Sequence, residues 1–268
     1  MTPATLLRRQ IELTLESRFP AALTPVPRTV RETVPSGVAA VDALLEGGFP
    51  VGAISEVVGP ESSGRTSLAL ATVAGRTRAG QVCAWVDAGD ALDPESAASS
   101  GVRLAQLLWV RCEQTGVAKA GTGAQQTKRR ATRLDVLDQA LRAADLLLQA
   151  GGFAAIVLDL GGIAVEDALR IPLATWFRFR QAADRARSCL LVLGRASYAQ
   201  SSAATVLDCA SAGARSAGGR VLRGFEYGVS RKRQRFAVGA AKEPLAGQRK
   251  PVWRTWRPAS AWAVEERA

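Results

Sequence analysis

The sequence contains no histidine, and this absence removes several classes of catalytic and metal site. A Ser-His-Asp or Cys-His catalytic group and a zinc site with histidine ligands are excluded anywhere in the 268 residues. The four cysteines lack C-x-x-C spacing, and two of them, Cys83 and Cys189, lie in apolar, strand-like runs. We therefore expect buried, reduced thiols.

Long apolar runs are missing as well. No stretch approaches the roughly 20 residues that a membrane-spanning helix needs. The first 19 residues, MTPATLLRRQIELTLESRF, carry charges where a signal peptide has an apolar core. Apolar residues make up 47% and charged residues 22% of the chain, which is typical of globular proteins. The length suits one α/β domain with short additions at its ends, and we expect a cytoplasmic protein with no membrane partner.

Acidic residues are scarce near the C-terminal end, where the positive charge concentrates. Residues 220–257 hold eleven Lys and Arg against two Glu, which is +9 of the net charge of +11. Such a concentration predicts a surface for polyanions, DNA first, because cations that neutralise phosphates release counterions; the alternative is a solvated basic face. The candidate contacts to DNA or a protein partner are Arg231, Lys232, Arg233, Arg235, Trp253 and Trp256. The two tryptophans could stack on bases, fill a groove of the partner or pack back onto the fold.

Strand-like and helix-like segments alternate along the middle of the chain. The runs VCAWVDA (82–88), LLWVRC (107–112), FAAIVLDL (153–160) and CLLVLG (189–194) predict strands. Leu134, Leu137, Leu141, Ala144 and Leu148 predict one face of a helix. Residues 116–131 lack periodicity and predict an exposed basic loop, and RVLRGFEYGVSRKRQRFAVG (220–239) predicts an antiparallel hairpin.

This pattern predicts an α/β fold with a mainly parallel sheet flanked by helices and an antiparallel hairpin at its C-terminal edge. We divide the chain into an N-terminal helix and extended arm (1–33), a core domain (34–240) and a basic, Trp-containing tail (241–268).

The segment GPESSGRTS, residues 59–67, fits the phosphate-loop template G-x-x-x-x-G-K-[ST] except that Arg65 replaces the lysine. It follows a buried strand and opens a helix, so its backbone N–H groups are expected to face a phosphate. The candidate nucleotide-binding residues are Gly59, Pro60, Glu61, Ser62, Ser63, Gly64, Arg65, Thr66 and Ser67. Thr66 and Asp159, which ends the run AAIVLD, are the candidate Mg²⁺ ligands if nucleotide binds, and ATP with Mg²⁺ is the expected cofactor. The alternatives are an exposed arginine over an empty loop and an aspartate that only caps a strand.

These residues resemble the ATPase core of the RecA recombinases. The likeness rests on VPSGVAAVDALLEGGFPVGAISEV, GPESSGRTSLAL and VCAWVDAGDALDP, and it extends in order from about residue 5 to residue 195. The resemblance implies a RecA-like P-loop NTPase core, preceded by a helix and arm that help subunits to associate.

Several positions depart from that family in the direction of lost hydrolysis. The loop lysine is Arg65, whose wide planar fork does not replace an ammonium at a phosphate conservatively. The family's catalytic glutamate falls on Gly89, its adenine-stacking aromatic on Ser96, and its Asn-Gln pair that senses the γ-phosphate on Gly194 and Arg195. The long DNA-binding loops are shortened or absent. Because positioning and the water-orienting base carry most of phosphoryl-transfer catalysis, we expect weak or absent ATP hydrolysis and assign no catalytic residue.

A shortened RecA-like chain with a basic C-terminal hairpin also resembles the ImuA family, cytoplasmic accessory proteins of bacterial SOS mutagenesis. This likeness rests on VCAWVDAGDALDP, LLWVRC, LDQALRAADLLLQAGGFAAIVLDL and the basic C-terminal hairpin. It implies a nucleoid-associated adaptor in SOS-induced translesion DNA synthesis and DNA repair, with RecA, an ImuB-like protein and an error-prone DNA polymerase as partners. One alternative is a DNA-dependent ATPase or recombinase paralogue in which Asp90 or Glu95 replaces the missing base. Another is a basic DNA-binding protein whose glycine loop is only structural.

Overall fold

The computed structural model describes residues 29–112, 125–217, 221–237 and 252–258, and a sheet of eight strands lies at its centre. In order across the sheet, the strands are β12 (Trp253–Trp256), β10 (Val221–Gln234), β9 (Ala203–Ala217), β4 (Ala53–Val58), β8 (Cys189–Gly194), β7 (Ala155–Asp159), β5 (Cys83–Asp87) and β6 (Leu107–Arg111). Two pairs of two-residue strands lie beside it: β1 (Thr29–Val30) with β11 (Phe236–Ala237), and β2 (Thr33–Val34) with β3 (Phe49–Pro50).

The sheet is parallel from β9 to β6 and antiparallel at its other end. Every residue of β4, β5, β7 and β8 is buried, which explains why their sequences are mainly apolar. Strands β9 and β10 form an antiparallel hairpin at this edge, and β12 pairs with β10 outside it. The predicted placement of the hairpin within residues 220–239 is wrong, because Val221–Gln234 is a single strand and its partner is Ala203–Ala217. The predicted α/β class, the mainly parallel sheet and the presence of a hairpin are confirmed, whereas the outermost strand was not foreseen.

Helices cover both faces of the sheet and divide the interior into two cores. The helices are α1 (Ala39–Leu45), α2 (Arg65–Arg78), α3 (Pro94–Ser99), α4 (Gln125–Ala150), α5 (Val165–Ala168) and α6 (Leu173–Ala186). The first three pack with Val57 and Trp85 on one face, and the last three pack with Ile54 and Ile156 on the other. Helix α3 begins at a favourable N-terminal sequence, because Asp93 accepts hydrogen bonds from two backbone N–H groups and Pro94 occupies the first helical position.

One element differs from its prediction. Helix α4 begins at Gln125, so the predicted loop over 116–131 is wrong for residues 125–131; residues 113–124 lie outside the described residues. Gln, Lys, Arg and Ala are strong helix formers, and here they extend the amphipathic helix without adding apolar periodicity. The predicted helix face is otherwise confirmed, since Leu137, Ala144 and Leu148 are buried.

Most of the predicted N-terminal helix and arm, and of the tail, lies outside the described residues, so the domain boundaries stay a prediction. The four cysteines are buried and unbonded, as expected. Among the described helices, none has the length and apolar character of a membrane-spanning segment.

Candidate functional site

The glycine loop connects a central strand to a helix and leaves its backbone donors unused. Strand β4 ends at Val58, and α2 begins at Arg65 with Gly64 as an N-cap that has no side-chain cap. Within the described residues, none of the backbone N–H groups of residues 61–67 donates a hydrogen bond. Unpaired N–H groups at a helix N-terminus carry partial positive charge and attract anions. The loop therefore has the geometry of a phosphate cradle.

The hairpin packs so closely against this loop that two positions require glycine. An ideal Cβ at Gly64 would lie 2.5 Å from Cγ of Tyr227, and the φ angle of 86° also favours glycine. A Cβ at Gly59 would collide with the carbonyl oxygen of Cys209. The phosphate loop and the β9–β10 hairpin thus form one packed unit.

Arg65 is a buried cation with a donor that has no partner among the described residues. The residue is 9% exposed, and its Nη1 is buried without a hydrogen-bond partner. Burial lowers the pKa of its guanidinium, an effect that the Asp159 carboxylate opposes and Arg195 reinforces. Leaving a buried charged donor unpaired costs free energy, which an anion bound next to it offsets. The alternative of an exposed arginine is therefore wrong as far as exposure is concerned, and the guanidinium has the chemistry of a phosphate ligand. Nucleotide binding at the loop stays a prediction.

Asp159 is a buried carboxyl group at the carboxyl end of β7, opposite Asp87 in the register with β5. The pKa of Asp159 is raised to about 6, mainly by burial. The 2.9 Å hydrogen bond from the Gly161 N–H and the Arg65 guanidinium oppose this rise, and the Asp87 carboxylate contributes to it. A cation that stabilised the charged form would lower this pKa. Among the described residues, no three Cys, Asp or Glu side chains cluster as metal ligands, so a Mg²⁺ ion here would depend on phosphate oxygens for further ligands.

Gly89 stands where the family has its catalytic glutamate, and the neighbouring carboxylates of Asp87 and Asp90 form hydrogen bonds within the protein. Asp87 accepts hydrogen bonds from the N–H groups of Gly89, Ala91 and Leu92 and thereby shapes the loop after β5. Asp90 accepts two 2.7 Å hydrogen bonds from Arg111, which hold the pKa of its carboxyl group below the usual range. This bidentate pair ties Asp90 to β6.

Two further positions of the expected nucleotide site have altered chemistry. Ser96, exposed on α3, donates a hydrogen bond to Asp93 and offers no aromatic surface for a base. Arg195 follows β8 directly and forms an ion pair with Glu61 of the phosphate loop. Arg195, which stands where the family has the second residue of its γ-phosphate-sensing Asn-Gln pair, therefore lies beside the phosphate loop.

Glu56 is a residue at the site that the sequence interpretation missed. It is fully buried in β4 and accepts hydrogen bonds from the Ser197 hydroxyl (2.5 Å) and from the N–H groups of Tyr198 (2.5 Å) and Ala199 (2.8 Å). These bonds fix the short turn that carries Arg195. The available signal was a single acidic residue inside the apolar run AISEVV.

The predicted basic residues in β10 and directly after it lie close together in sequence but differ in their partners. Arg231 pairs with Glu46 at 3.2 Å, and Lys232 pairs with Asp208 at 2.8 Å. The next two cations bond to carbonyl oxygens instead, Arg233 to Gln200 and Arg235 to Ser201. Arg231 and Lys232 are therefore paired with acids. Arg233 and Arg235 bond to neutral carbonyl oxygens, which do not offset their positive charge.

The two candidate tryptophans of the described part of the tail, Trp253 and Trp256, have different environments. Trp256 is 5% exposed and packs against Tyr227, with ring centroids 5.3 Å apart. Trp253 is 48% exposed and lies over Gly228, where an ideal Cβ would be 3.2 Å from its ring. Packing onto the fold is thus the role of Trp256, and only Trp253 presents a ring to solvent.

A mainly parallel α/β sheet with a phosphate loop between its central strand and the following helix defines the class of P-loop NTPase folds. Residues 22–168 match the family described as RecA N-terminal domain, and the chain belongs to that family.

Curated relatives and a solved structure agree with this assignment. The chain is 39% identical over 133 residues to Protein RecA of Nocardioides sp. (strain ATCC BAA-499 / JS614), covering 49% of this chain and 32% of that protein. It is 40% identical over 129 residues to Protein RecA of Brucella anthropi, covering 48% of this chain and 30% of that protein. The matches thus span about a third of these relatives' length. The crystal structure of the RadB recombinase has a similar fold, with a TM-score of 0.55 and 16% identity over 84% of this chain and 96% of that one.

Proposed function

We propose that this protein is a RecA-like accessory protein that binds ATP with Mg²⁺, hydrolyses it weakly or not at all, and acts as an adaptor in SOS-induced translesion DNA synthesis and DNA repair. The loop N–H groups and Arg65 would hold the phosphates, and Thr66 and Asp159 would hold the metal ion. ATP with Mg²⁺ would supply an anionic ligand that offsets the buried guanidinium.

The proposal rests on one observation: the phosphate loop is retained, but the carboxylate that would activate the attacking water is missing. Arg65 is buried with an unused donor, whereas Gly89 has no side chain and Asp90 is tied to Arg111. A P-loop protein accelerates phosphoryl transfer through positioning and water orientation, and the second part is lacking here. Such a site suits a protein whose nucleotide stabilises a conformation rather than drives turnover.

The adaptor role is supported by family membership, by the ImuA-like features of the sequence and by the exposed Trp253. We expect the full chain to bind RecA filaments assembled on single-stranded DNA, or an ImuB-like protein, in surface-immobilised binding assays with purified components. Trp253→Ala should weaken this binding without unfolding the chain, and Leu146→Ala, which removes another exposed apolar side chain, should not. Absence of binding to both partners would remove the adaptor role and leave the nucleotide site intact.

Restoring a carboxylate at position 89 tests the account of hydrolysis. An ideal Cβ there is 3.4 Å from its nearest neighbour, Cα of Gly162, so Gly89→Glu introduces no backbone collision. We expect phosphate release to rise at least about tenfold, because a positioned general base contributes 10² to 10⁴ when its geometry is good. Gly89→Gln is the matched control and should not raise the rate. Fast DNA-stimulated release by the unaltered chain, lost in Thr66→Ala, would instead favour the recombinase alternative.

A further inference from the structure

A cavity of about 400 Å³ lies at the end of the sheet opposite the phosphate loop. Its lining includes Ala53, the first residue of β4, whereas the loop follows the last residue of the same strand. A strand of this length separates the two by about 20 Å. The side chains that give the cavity its polar character are Arg31, Arg180, Gln181, Asp184, Ser202 and Arg235.

The arginines of this cavity are held in place mainly by neutral groups. Arg31 Nη1 donates to the carbonyl oxygens of Val51 (3.1 Å) and Gly52 (2.8 Å), and it also pairs with Asp184 at 2.9 Å. Arg235 Nη1 donates to the Ser201 carbonyl oxygen at 3.0 Å. A carbonyl oxygen fixes a guanidinium without cancelling its charge and leaves its remaining donors for a ligand.

Among the described residues, the cations of this cavity therefore outnumber the acids. Asp184 is its only acidic lining residue within the described part of the chain, and it offsets Arg31. Neither Arg180 nor Arg235 has an acidic partner in the described ranges, and Arg233 next to them bonds to the Gln200 carbonyl oxygen. Arg180 lies over the Phe177 ring at 4.9 Å, which orients its fork without pairing its charge.

The arginines of the cavity differ from the other basic residues of β10 in their ion pairing. Arg231 and Lys232 are paired with Glu46 and Asp208, so their attraction for an anion is reduced. Planar guanidinium forks that are already oriented match phosphate oxygens in bidentate geometry. Ser202 and Gln181 add polar groups at the same wall.

We propose that this cavity binds phosphate oxyanions through Arg180 and Arg235, with Arg31 as a positioned neighbour. Two sources supply that chemistry, the backbone of single-stranded nucleic acid and free polyphosphate. The inference does not rest on nucleotide binding at the loop, because the two sites lie at opposite ends of β4.

The test compares arginine variants of the full chain that differ only in position. Arg180→Ala and Arg235→Ala remove cavity cations, and Arg185→Ala removes the same charge from an exposed position on the same helix α6, outside the cavity. Binding is measured by anisotropy with a labelled oligothymidylate of about 20 nucleotides, a length that covers one or more typical binding sites. Inorganic tripolyphosphate is titrated separately by calorimetry. All three variants keep the loop, so differences among them report on the cavity.

We expect each cavity variant to bind at least one probe about fivefold more weakly than the Arg185→Ala protein, as the loss of a charge-assisted contact predicts. For the oligonucleotide, the slope of log affinity against log salt should fall by roughly 0.7 per arginine removed. Loss with the oligonucleotide identifies a nucleic-acid backbone as the source, and loss with tripolyphosphate alone identifies free polyphosphate. Equal affinities in all variants, or equal losses in all three, would overturn the proposal. Unchanged melting temperatures establish that the variants are folded.

Discussion

Glu56→Ala is expected to lower the free energy of unfolding by about 3 kcal/mol, one of the two largest effects that we predict. The substitution removes the only acceptor that the structure gives to the N–H groups of Tyr198 and Ala199, and it leaves a cavity inside β4. Buried donors without a partner each cost about 1–3 kcal/mol. Urea unfolding followed by circular dichroism measures the change.

Glu56→Gln is the matched control for this prediction. Its Oε1 keeps both backbone hydrogen bonds, and the Ser197 hydroxyl can rotate to accept one from the new amide. We expect a cost below about 1 kcal/mol, since all donors stay paired. A small effect of alanine, or equal effects of both variants, would mean that the carboxylate does not hold the turn after β8.

Asp159→Asn is expected to stabilise the nucleotide-free chain at pH 8 by about 2–3 kcal/mol, because it removes a buried charge and keeps an oxygen for the Gly161 N–H. The pKa of Asp159 is about 6 in the folded chain, against an ordinary value of 3.8. The folded state therefore binds this proton more tightly than the unfolded state does. The resulting stabilisation is complete below about pH 4 and is lost as the pH rises through about 6.

The stability difference between Asp159→Asn and the unaltered chain should accordingly grow from pH 4 to pH 7 and then level off. Chemical unfolding across this range measures it, and Asp138→Asn, at an exposed position of α4, is the control. Asp159→Asn should also abolish any Mg²⁺-dependent part of the stabilisation by ATP. A difference that stays flat with pH would contradict the buried, proton-binding carboxyl group.

Asp159 and Arg65 show how the site lowers the stability of the fold. Asp159 and Arg65 are buried charges without a direct ion pair between them, and both lie beside Gly161. Such an arrangement is unfavourable until a ligand supplies the missing charges. Retained polar groups that weaken the empty fold are expected at a site that binds something.

The sequence predicted those parts of the fold whose signals are local. Strands β5, β7 and β8 are continuous apolar runs, and the phosphate loop is a contiguous segment with a strand before it and a helix after it. The first turns of α4 were missed because the apolar periodicity begins only about residue 134. Strand β12 was missed because WRTW is only four residues long, and its pairing with Tyr227 and Ser230 is non-local.

The candidate site was predictable to a similar degree. The loop residues and Asp159 belong to motifs, so their types and spacing were enough to place them. Ion pairs between residues far apart in sequence could not be predicted, because the order of the strands brings their partners together. These pairs are Arg111 with Asp90, Arg195 with Glu61, and Lys232 with Asp208. For the same reason, the basic run could not be divided into paired and unpaired cations from the sequence.

The most direct measurement of the central claim is a single-turnover experiment with excess purified chain, γ-labelled ATP and Mg²⁺, with and without single-stranded DNA. Retained nucleotide and released phosphate are followed on the same samples. We predict saturable retention, reduced in Arg65→Ala, with phosphate release slower than about 10⁻³ s⁻¹, the range of a P-loop protein without its full catalytic set. Release at 1 s⁻¹ or faster from material of established purity, on the order of an efficient P-loop enzyme, would contradict it.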